Sequence, residues 1–247
     1  MFGESSATQV LMISQLQIPI FQKFYNTPEE RLHLLPPGIS KDRIAADNSG
    51  ELRREFRQTF HLADDEKLLL MVGSGFKTKG VDRALNALAA LPDVERQKAR
   101  LFVIGQDNPR ALLKQAKQLG IEQQFQVFEG RDDIPRFMQG ADLLIHPARH
   151  ENTGTVLVEA IVAGLPVLVT DVCGYAHYVT DAKMGAVLAS PFSHNELTKA
   201  LSSLLGDVED MGAVWRHRGA EFANRVDVYS MPQVAAQKII DCMADSA

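Results

Sequence analysis

From Lys67 onward the sequence alternates between short apolar runs and stretches with helical periodicity, and this alternation restricts the fold more than any other feature. The apolar runs predict strands at 68–72, 101–104, 125–128, 142–146, 167–170 and 186–188. The periodic stretches predict helices at 81–91, 109–119, 134–138, 154–163 and 195–205. Strands this apolar, separated by helices, are typical of a parallel sheet covered on both faces. The sequence therefore predicts an α/β, doubly wound, Rossmann-like fold.

The two ends of the chain do not follow this alternation. Residues 8–14 resemble one more buried strand, followed by an amphipathic stretch as far as Tyr25 and by a rigid Leu-Leu-Pro-Pro-Gly connector at 34–38. The helical segments 208–224 and 232–243 follow no strand. We expect these two segments to pack on the flank of the domain or on a neighbour.

Composition excludes several classes of protein. The 247 residues are 45% hydrophobic and 23% charged, which is typical of a soluble globular protein. No apolar window is long enough to cross a membrane and the first 25 residues do not resemble a secretory signal, so we expect a cytoplasmic protein. A net charge of −5 disfavours nucleic acid as a partner. Cys173 and Cys242 form no Cys-x-x-Cys motif and are expected to be packing residues.

In doubly wound sheets the loops that leave the carboxyl ends of the strands bind ligands. The first such loop is Gly73–Gly80, which carries Lys77 and Lys79 and leads into a helix. It matches neither the dinucleotide fingerprint nor the ATP-type P-loop. It could hold phosphate through Gly75 and the lysines, or it could be a surface turn with solvated lysines.

The second loop, at 128–133, contains Arg131 between acidic neighbours. A planar guanidinium can stack on a nucleotide base, and it can equally pair with an adjacent carboxylate. The loop sequence by itself leaves both interpretations open.

The third loop follows the strand that ends at His146 and contains two glutamates separated by seven residues, Glu151 and Glu159. A helix beginning near Gly154 would direct free amides of Gly154, Thr155 and Val156 at an anion. Glu159 would lie one turn further along the helix, where it could accept hydrogen bonds from a diol. Glu151, in the loop, could accept hydrogen bonds from the hydroxyls of a polyol. The alternative is a capping carboxylate and a surface glutamate.

The chain contains no Asp-x-Asp, so the sequence does not support a diphosphate bridged by a metal ion. A glycosidase would need two carboxylates on opposite sides of one bond, about 5–9.5 Å apart. Glu151 and Glu159 belong to one loop and helix, and hydrolysis would not explain the amides between them.

The Glu-x7-Glu spacing, followed by Ala-x3-Gly-x-Pro-Val, resembles the nucleotide-sugar site of the retaining glycosyltransferases of family 4. These enzymes have the GT-B fold, in which two Rossmann-like domains face each other. Within the family, the segments 35–39, 79–83, 105–107 and 172–178 resemble the glucosyltransferases that add the first glucose to heptose in the lipopolysaccharide core. The resemblance covers almost the whole chain.

The resemblance implies a role for each matching residue. Glu159 would hold the ribose, Glu151 the donor sugar and Arg131 the uracil. The diphosphate would lie on backbone amides, with Lys79 as its cation; those amides belong to Asn152, Thr153, Gly154, Thr155 and Val156. Glu151 and Lys79 would be the catalytic pair. The resemblance implies UDP-glucose as donor substrate, with no metal and no other cofactor.

Two positions depart from the family pattern. Ser74 stands where many relatives have arginine, and Thr78 stands where the closer relatives have a basic residue. Lys77 is the residue that could replace the missing charge.

The resemblance also predicts a domain organisation. Residues 1–35 would be a remnant of the acceptor domain and its linker, 36–225 the domain that binds UDP-glucose, and 226–247 a helix that docks on the acceptor domain. The lipopolysaccharide inner-core acceptor, and any contact with the inner face of the inner membrane, would then depend on a domain largely absent from this sequence.

Two functions follow from these expectations. The chain could be the donor half of a retaining transferase, in which Lys79 and the helix amides stabilise the charge that builds on the departing UDP. It could instead be a nucleotide-sugar-binding fragment or split subunit that needs a partner chain for turnover.

Overall fold

The structure is a computed structural model that describes residues 1–45 and 48–244. Its strands, in chain order, are β1 (Val10–Met12), β2 (Leu32–Leu34), β3 (Lys67–Val72), β4 (Ala99–Ile104), β5 (Phe125–Phe128), β6 (Leu143–His146), β7 (Val167–Thr170) and β8 (Gly185–Leu188). Its α-helices are α1 (Ile18–Tyr25), α2 (Ser49–Thr59), α3 (Phe76–Lys79), α4 (Val81–Ala89), α5 (Asp93–Lys98), α6 (Arg110–Gln118), α7 (Ile134–Gly140), α8 (Thr155–Val162), α9 (Ala176–Asp181), α10 (His194–Arg225) and α11 (Met231–Ala244). Short 3-10 helices occupy Gln15–Gln17, Glu29–Arg31 and Lys41–Arg43.

Strands β3 to β8 form one parallel sheet in the order β5-β4-β3-β6-β7-β8. The predicted doubly wound α/β fold is therefore confirmed. The strand order reverses between β3 and β6, and open sheets of this kind bind ligands at that switch point, beyond the carboxyl ends of the strands. The first and third loops singled out in the sequence leave β3 and β6, so the fold brings them together.

The core lies on both faces of this sheet. Helix α8 turns Leu157, Ala160 and Ile161 onto the sheet, and all three are fully buried, as its periodicity predicts. Helix α2, which the sequence did not predict, buries Phe56 beside Phe137 with ring centroids 5.0 Å apart. Burial of apolar faces on both sides fixes the sheet and hence the position of the loops at its edge.

Helix α10 differs from the prediction because the segments 195–205 and 208–224 form one helix of 32 residues. Gly206 lies inside it, where glycine costs about 1 kcal/mol relative to alanine. The helix continues because it buries side chains both before and after this position, including Leu205 and Trp215. Packing on either side outweighs the local propensity.

The amino-terminal segment forms a small sheet of its own, in which β1 pairs in parallel with β2. Strand β2 ends at Leu34, so strand pairing extends one residue into the predicted connector 34–38. Helix α1 has no buried residue, and Phe24 is 70% exposed. Helix α11 has no buried residue among those described, and Ile240 is 59% exposed. Among the helices of residues 1–45 and 48–244, none has the length and apolar character needed to cross a bilayer.

Candidate functional site

The loop after β3, residues 73–80, is called the glycine loop here, and the loop after β6, residues 147–154, the β6 loop. Gly75 and Gly80 have φ angles of 81° and 79°, which favour glycine. A Cβ at Gly80 would lie 2.1 Å from the carbonyl oxygen of Pro147. Glycine is thus required for the two loops to touch, and their contact brings Lys79 to the β6 loop.

Lys79 forms an ion pair with Glu151, its Nζ donating to Oε2 of the carboxylate. The two side chains are 23% and 12% exposed, so the pair is largely shielded from solvent. Nε2 of His146 lies 3.4 Å from the same Oε2 atom, and the His146 side chain is 1% exposed. The structure therefore places the two predicted catalytic residues in direct contact, with a buried histidine beneath them.

Burial governs the protonation of this cluster. It lowers the pKa of Lys79 below its usual value. It also lowers the pKa of His146 to about 3, and the nearby Lys79 cation acts in the same direction. Burial raises the pKa of the Cys173 thiol to about 12. At neutral pH, His146 is therefore a neutral imidazole and Cys173 a protonated, packed thiol.

The β6 loop is held by contacts from several segments. Glu151 forms an isolated parallel bridge with Cys173, and the amide of Tyr175 donates to the carbonyl of Thr153 over 2.8 Å. Nε2 of Gln17 donates to Oδ1 of Asn152 over 2.8 Å. The amino-terminal segment thus braces the predicted diphosphate loop directly.

Helix α8 begins at Thr155, one residue after Gly154, which has a φ of 79°. The first amides of a helix have no acceptor within it, and they carry the positive end of its dipole. The amides of Thr155 and Val156 therefore point toward the β6 loop, which carries Glu151. Their position suits an anion.

Glu159 lies on α8 as predicted, but an arginine from a distant segment meets it. Nε of Arg43, in the 3-10 helix Lys41–Arg43, donates to Oε1 of Glu159 over 3.1 Å. The Glu159 side chain is 17% exposed, and burial raises its pKa although Arg43 opposes this effect. Nη1 of Arg43 is buried and hydrogen-bonds to no group in the described part of the chain.

Gly75 and Lys77 lie on the part of the glycine loop that contacts the Asp107 region. Gly75 and Phe76 donate their amides to Oδ2 of Asp107. Lys77 lines a pocket of about 620 Å³ that also contacts Asp82 and Asp107 and does not include Lys79. Lys77 thus lines a pocket whose lining does not include Lys79 or Glu151.

Arg131 forms a bidentate ion pair with Asp133, with N–O distances of 2.7 and 2.9 Å. This pair raises the pKa of Arg131. The guanidinium carbon lies 4.9 Å from the ring centroid of Phe137. Pairing with a neighbouring acid, one of the two open interpretations, is observed, and a role toward uracil stays a prediction.

Three residues that the sequence did not single out belong to this region: Gln17, Arg43 and His146. Arg43 and Gln17 lie 116 and 135 residues from the side chains they contact, and no periodicity links such positions. His146 marked only the end of a predicted strand. Within the described ranges, no group of three or more His, Cys, Asp or Glu side chains is arranged to hold a metal ion.

Comparisons with known proteins identify the family of the chain. Residues 53–221 match the family model described as glycosyl transferases group 1. The chain is 44% identical over 238 residues to the lipopolysaccharide glucosyltransferase WaaG of Escherichia coli K12, which covers 96% of this chain. It superposes on a crystal structure of WaaG, described as a glycosyltransferase involved in lipopolysaccharide biosynthesis, with a TM-score of 0.90.

Fold similarity extends to more distant proteins. The crystal structure of Anabaena Alr3699/HepE in complex with UDP and glucose is 21% identical and has a TM-score of 0.81 over 95% of this chain. The chain spans 63% of the length of the E. coli relative and 63% of the Anabaena protein.

Proposed function

Because the chain belongs to the group 1 glycosyl transferases, we propose that it is the donor-binding part of a retaining glucosyltransferase that acts on the lipopolysaccharide core. Glucose would move from UDP-glucose to a heptose of the core. The observation that carries the proposal is the meeting of Lys79, Glu151 and the first amides of α8 at the switch point of the sheet. A cation, a carboxylate and an anion-binding helix end are the groups that a sugar diphosphate requires.

In this proposal the diphosphate lies on the amides of residues 152–156. Lys79 turns from Glu151 to the phosphate oxygens, and Glu151 accepts hydrogen bonds from hydroxyls of the glucose. Glu159 accepts hydrogen bonds from the ribose, with Arg43 fixing one of its oxygens. Arg131, on the loop after β5, lies against the uracil.

The chemistry follows from charge. As the bond between glucose and UDP breaks, negative charge builds on the diphosphate, and preorganised donors stabilise it most effectively in a site shielded from water. The Lys79 ammonium and the dipole of α8 supply this stabilisation without a metal ion. Glu151 orients the glucose so that the acceptor can approach the anomeric carbon.

The acceptor side is proposed to lie on a second Rossmann-like domain. Residues 1–35 would belong to it, and the segment 226–247 would dock on it through the apolar side chains that α11 exposes. We propose that the complete enzyme works in the cytoplasm at the inner face of the inner membrane, where the lipopolysaccharide inner core would be its acceptor.

Calorimetric titration of the chain with UDP, UDP-glucose and UDP-galactose tests the donor site. We expect UDP to bind and UDP-glucose to bind in a manner that depends on Glu151. Absence of binding by every uridine nucleotide would contradict the proposal.

A second candidate function is a nucleotide-sugar-binding subunit that transfers nothing by itself. The groups gathered at the switch point favour it, because Lys79 and Glu151 suit the nucleotide sugar. Holding donor and acceptor together contributes up to about 7–11 kcal/mol to such reactions. An assay with labelled UDP-glucose and heptose-terminated lipopolysaccharide separates the two, because robust transfer by this chain alone would exclude the binding subunit.

A further inference from the structure

His146 is a buried polar side chain that has no role in the proposed chemistry. It is the last residue of β6, its side chain is 1% exposed, and neither ring nitrogen hydrogen-bonds to any group in residues 1–45 or 48–244. Buried polar groups without partners cost free energy and are rare in folded proteins. An apolar residue would fill the same volume without this cost.

The ring is directed at Glu151. Its Nε2 atom lies 3.4 Å from Oε2 of the carboxylate, slightly beyond a normal hydrogen bond. Lys79 donates to that same oxygen, and the amide of Asn152 donates to Oε1 over 3.1 Å. Both carboxylate oxygens therefore have donors in this structure. Nε2 of His146 is placed to replace Lys79 as the donor to Oε2.

We propose that His146 is a positioning residue for Glu151, which donates from Nε2 to Oε2 of Glu151 when a diphosphate draws Lys79 away. This inference rests on the proposed donor function. A carboxylate that loses its cation inside a shielded site becomes uncompensated, and it needs another donor to keep its position. The imidazole supplies that donor at the required place with a small movement.

The ring is suited to this task because it is neutral. Burial and the neighbouring Lys79 keep its pKa at about 3, so at neutral pH one ring nitrogen carries a proton and the other does not. A neutral donor orients the carboxylate without neutralising it. Glu151 thus keeps its capacity to accept hydrogen bonds from the glucose.

The test compares His146→Phe with His146→Gln in the full chain, by calorimetry with UDP and with UDP-glucose. Phenylalanine fills the volume but removes the donor, and glutamine can place an amide N–H near the Nε2 position. We expect His146→Phe to weaken UDP binding by severalfold, because the diphosphate of either ligand draws Lys79 away and leaves Glu151 without a compensating donor. UDP-glucose binding should weaken by more, about tenfold, because Glu151 also loses the orientation that it needs to bind the glucose. His146→Gln should recover most of the loss. Ile145→Val, a change at the adjacent buried residue of β6, controls for altered packing and should change neither affinity selectively.

Equal losses of affinity for both ligands, or a glutamine variant that binds no better than the phenylalanine variant, would overturn the inference.

Nitrogen NMR of unmutated protein with labelled imidazole nitrogens provides a second readout that needs no variant. Nε2 of His146 should carry the proton, and its signal should shift when UDP-glucose binds. An unprotonated Nε2 would also overturn it.

If binding of UDP-glucose by the parent chain depends on Glu151 but the His146 variants bind both ligands as the parent chain does, the inference fails and the proposed function stands. If the parent chain binds neither ligand, the proposed function fails first and the inference with it.

Discussion

Lys79 and Glu151, 72 residues apart in the sequence, form an ion pair across the switch point between β3 and β6. Each side chain compensates the charge of the other, so a ligand that binds one of them must also separate the ion pair. Separating the pair affects binding of the diphosphate and binding of the glucose differently, and affinities for UDP and UDP-glucose measure this difference.

Glu151→Gln should bind UDP more tightly than the parent chain, because Lys79 is then free to meet the diphosphate. Separating this ion pair, whose side chains keep 23% and 12% exposure, costs about 1 kcal/mol, so the gain should be roughly two- to fivefold. UDP-glucose should lose affinity relative to UDP, because the glucose has lost its charged acceptor. Parallel calorimetric titrations measure both, and a loss of UDP affinity would show that Glu151 supports the diphosphate.

Lys79→Ala should weaken UDP binding by roughly ten- to a hundredfold, since a hydrogen bond to a charged group contributes about 1.5–3 kcal/mol. Uridine, which has no phosphate, should bind as before. Lys77→Ala is the matched comparison because Lys77 lines the pocket beside Asp82 and Asp107 instead. Its effect on UDP should be clearly smaller, and equal losses would show that both lysines reach the diphosphate.

The Arg43–Glu159 pair predicts a pH dependence. Burial raises the pKa of Glu159, so its carboxylate takes up a proton as the pH falls through that raised value, and ribose binding should weaken there. Removing the cation in Arg43→Gln should raise the pKa further and move this loss of affinity to higher pH. Arg43→Lys keeps the charge and should remain close to the parent.

UDP-glucose is the ligand for this measurement, because its diphosphate has no terminal phosphate proton that titrates near neutrality. Affinities measured across the acidic range should give a curve displaced upward in pH for Arg43→Gln. Superimposable curves would indicate that Glu159 is not the group that holds the ribose.

Gly174→Ala should destabilise the chain and weaken UDP binding together. A Cβ at Gly174 would lie 2.2 Å from the carbonyl oxygen of Asn152 and 2.5 Å from Oγ of Ser14. Overpacking of this kind costs about 1–3 kcal/mol, and relief would displace the β6 loop. Gly206→Ala, in the open middle of α10, is the control and should stabilise the chain by about 0.5–1 kcal/mol. Thermal unfolding and UDP titration of both variants give the comparison.

Much of the sheet could be predicted from the sequence because its strands are buried on both faces and are therefore continuous apolar runs. The predictions for β5 (125–128) and β7 (167–170) agree with the structure at every residue. Helix α10 could not be predicted as one element, since local propensity at Gly206 suggests a break that tertiary packing overrides. Helix α2 was not predicted because most of its residues are polar, so burial of Phe56 produces little apolar periodicity in the sequence.

The candidate site was predictable where its residues share one loop or helix, as Glu151, Gly154 and Glu159 do. Spacing along the chain then determines geometry directly. Arg43 and Gln17 join the site only through the tertiary fold, which no local pattern encodes. The sequence predicted two loops at the carboxyl ends of the strands, but not the contact between Lys79 and Glu151. That contact depends on the close approach of the loops at Gly80.

That approach has a kinetic implication. The Gly80 backbone lies so close to Pro147 that a Cβ would clash there, so we expect the glycine loop and the β6 loop to move together. A nucleotide arriving at the sheet edge would meet a largely preformed surface, so little conformational entropy would be lost on association. Capture should then approach a rate set by diffusion and orientation, and differences in affinity among related sugar nucleotides should appear chiefly in how long each remains bound.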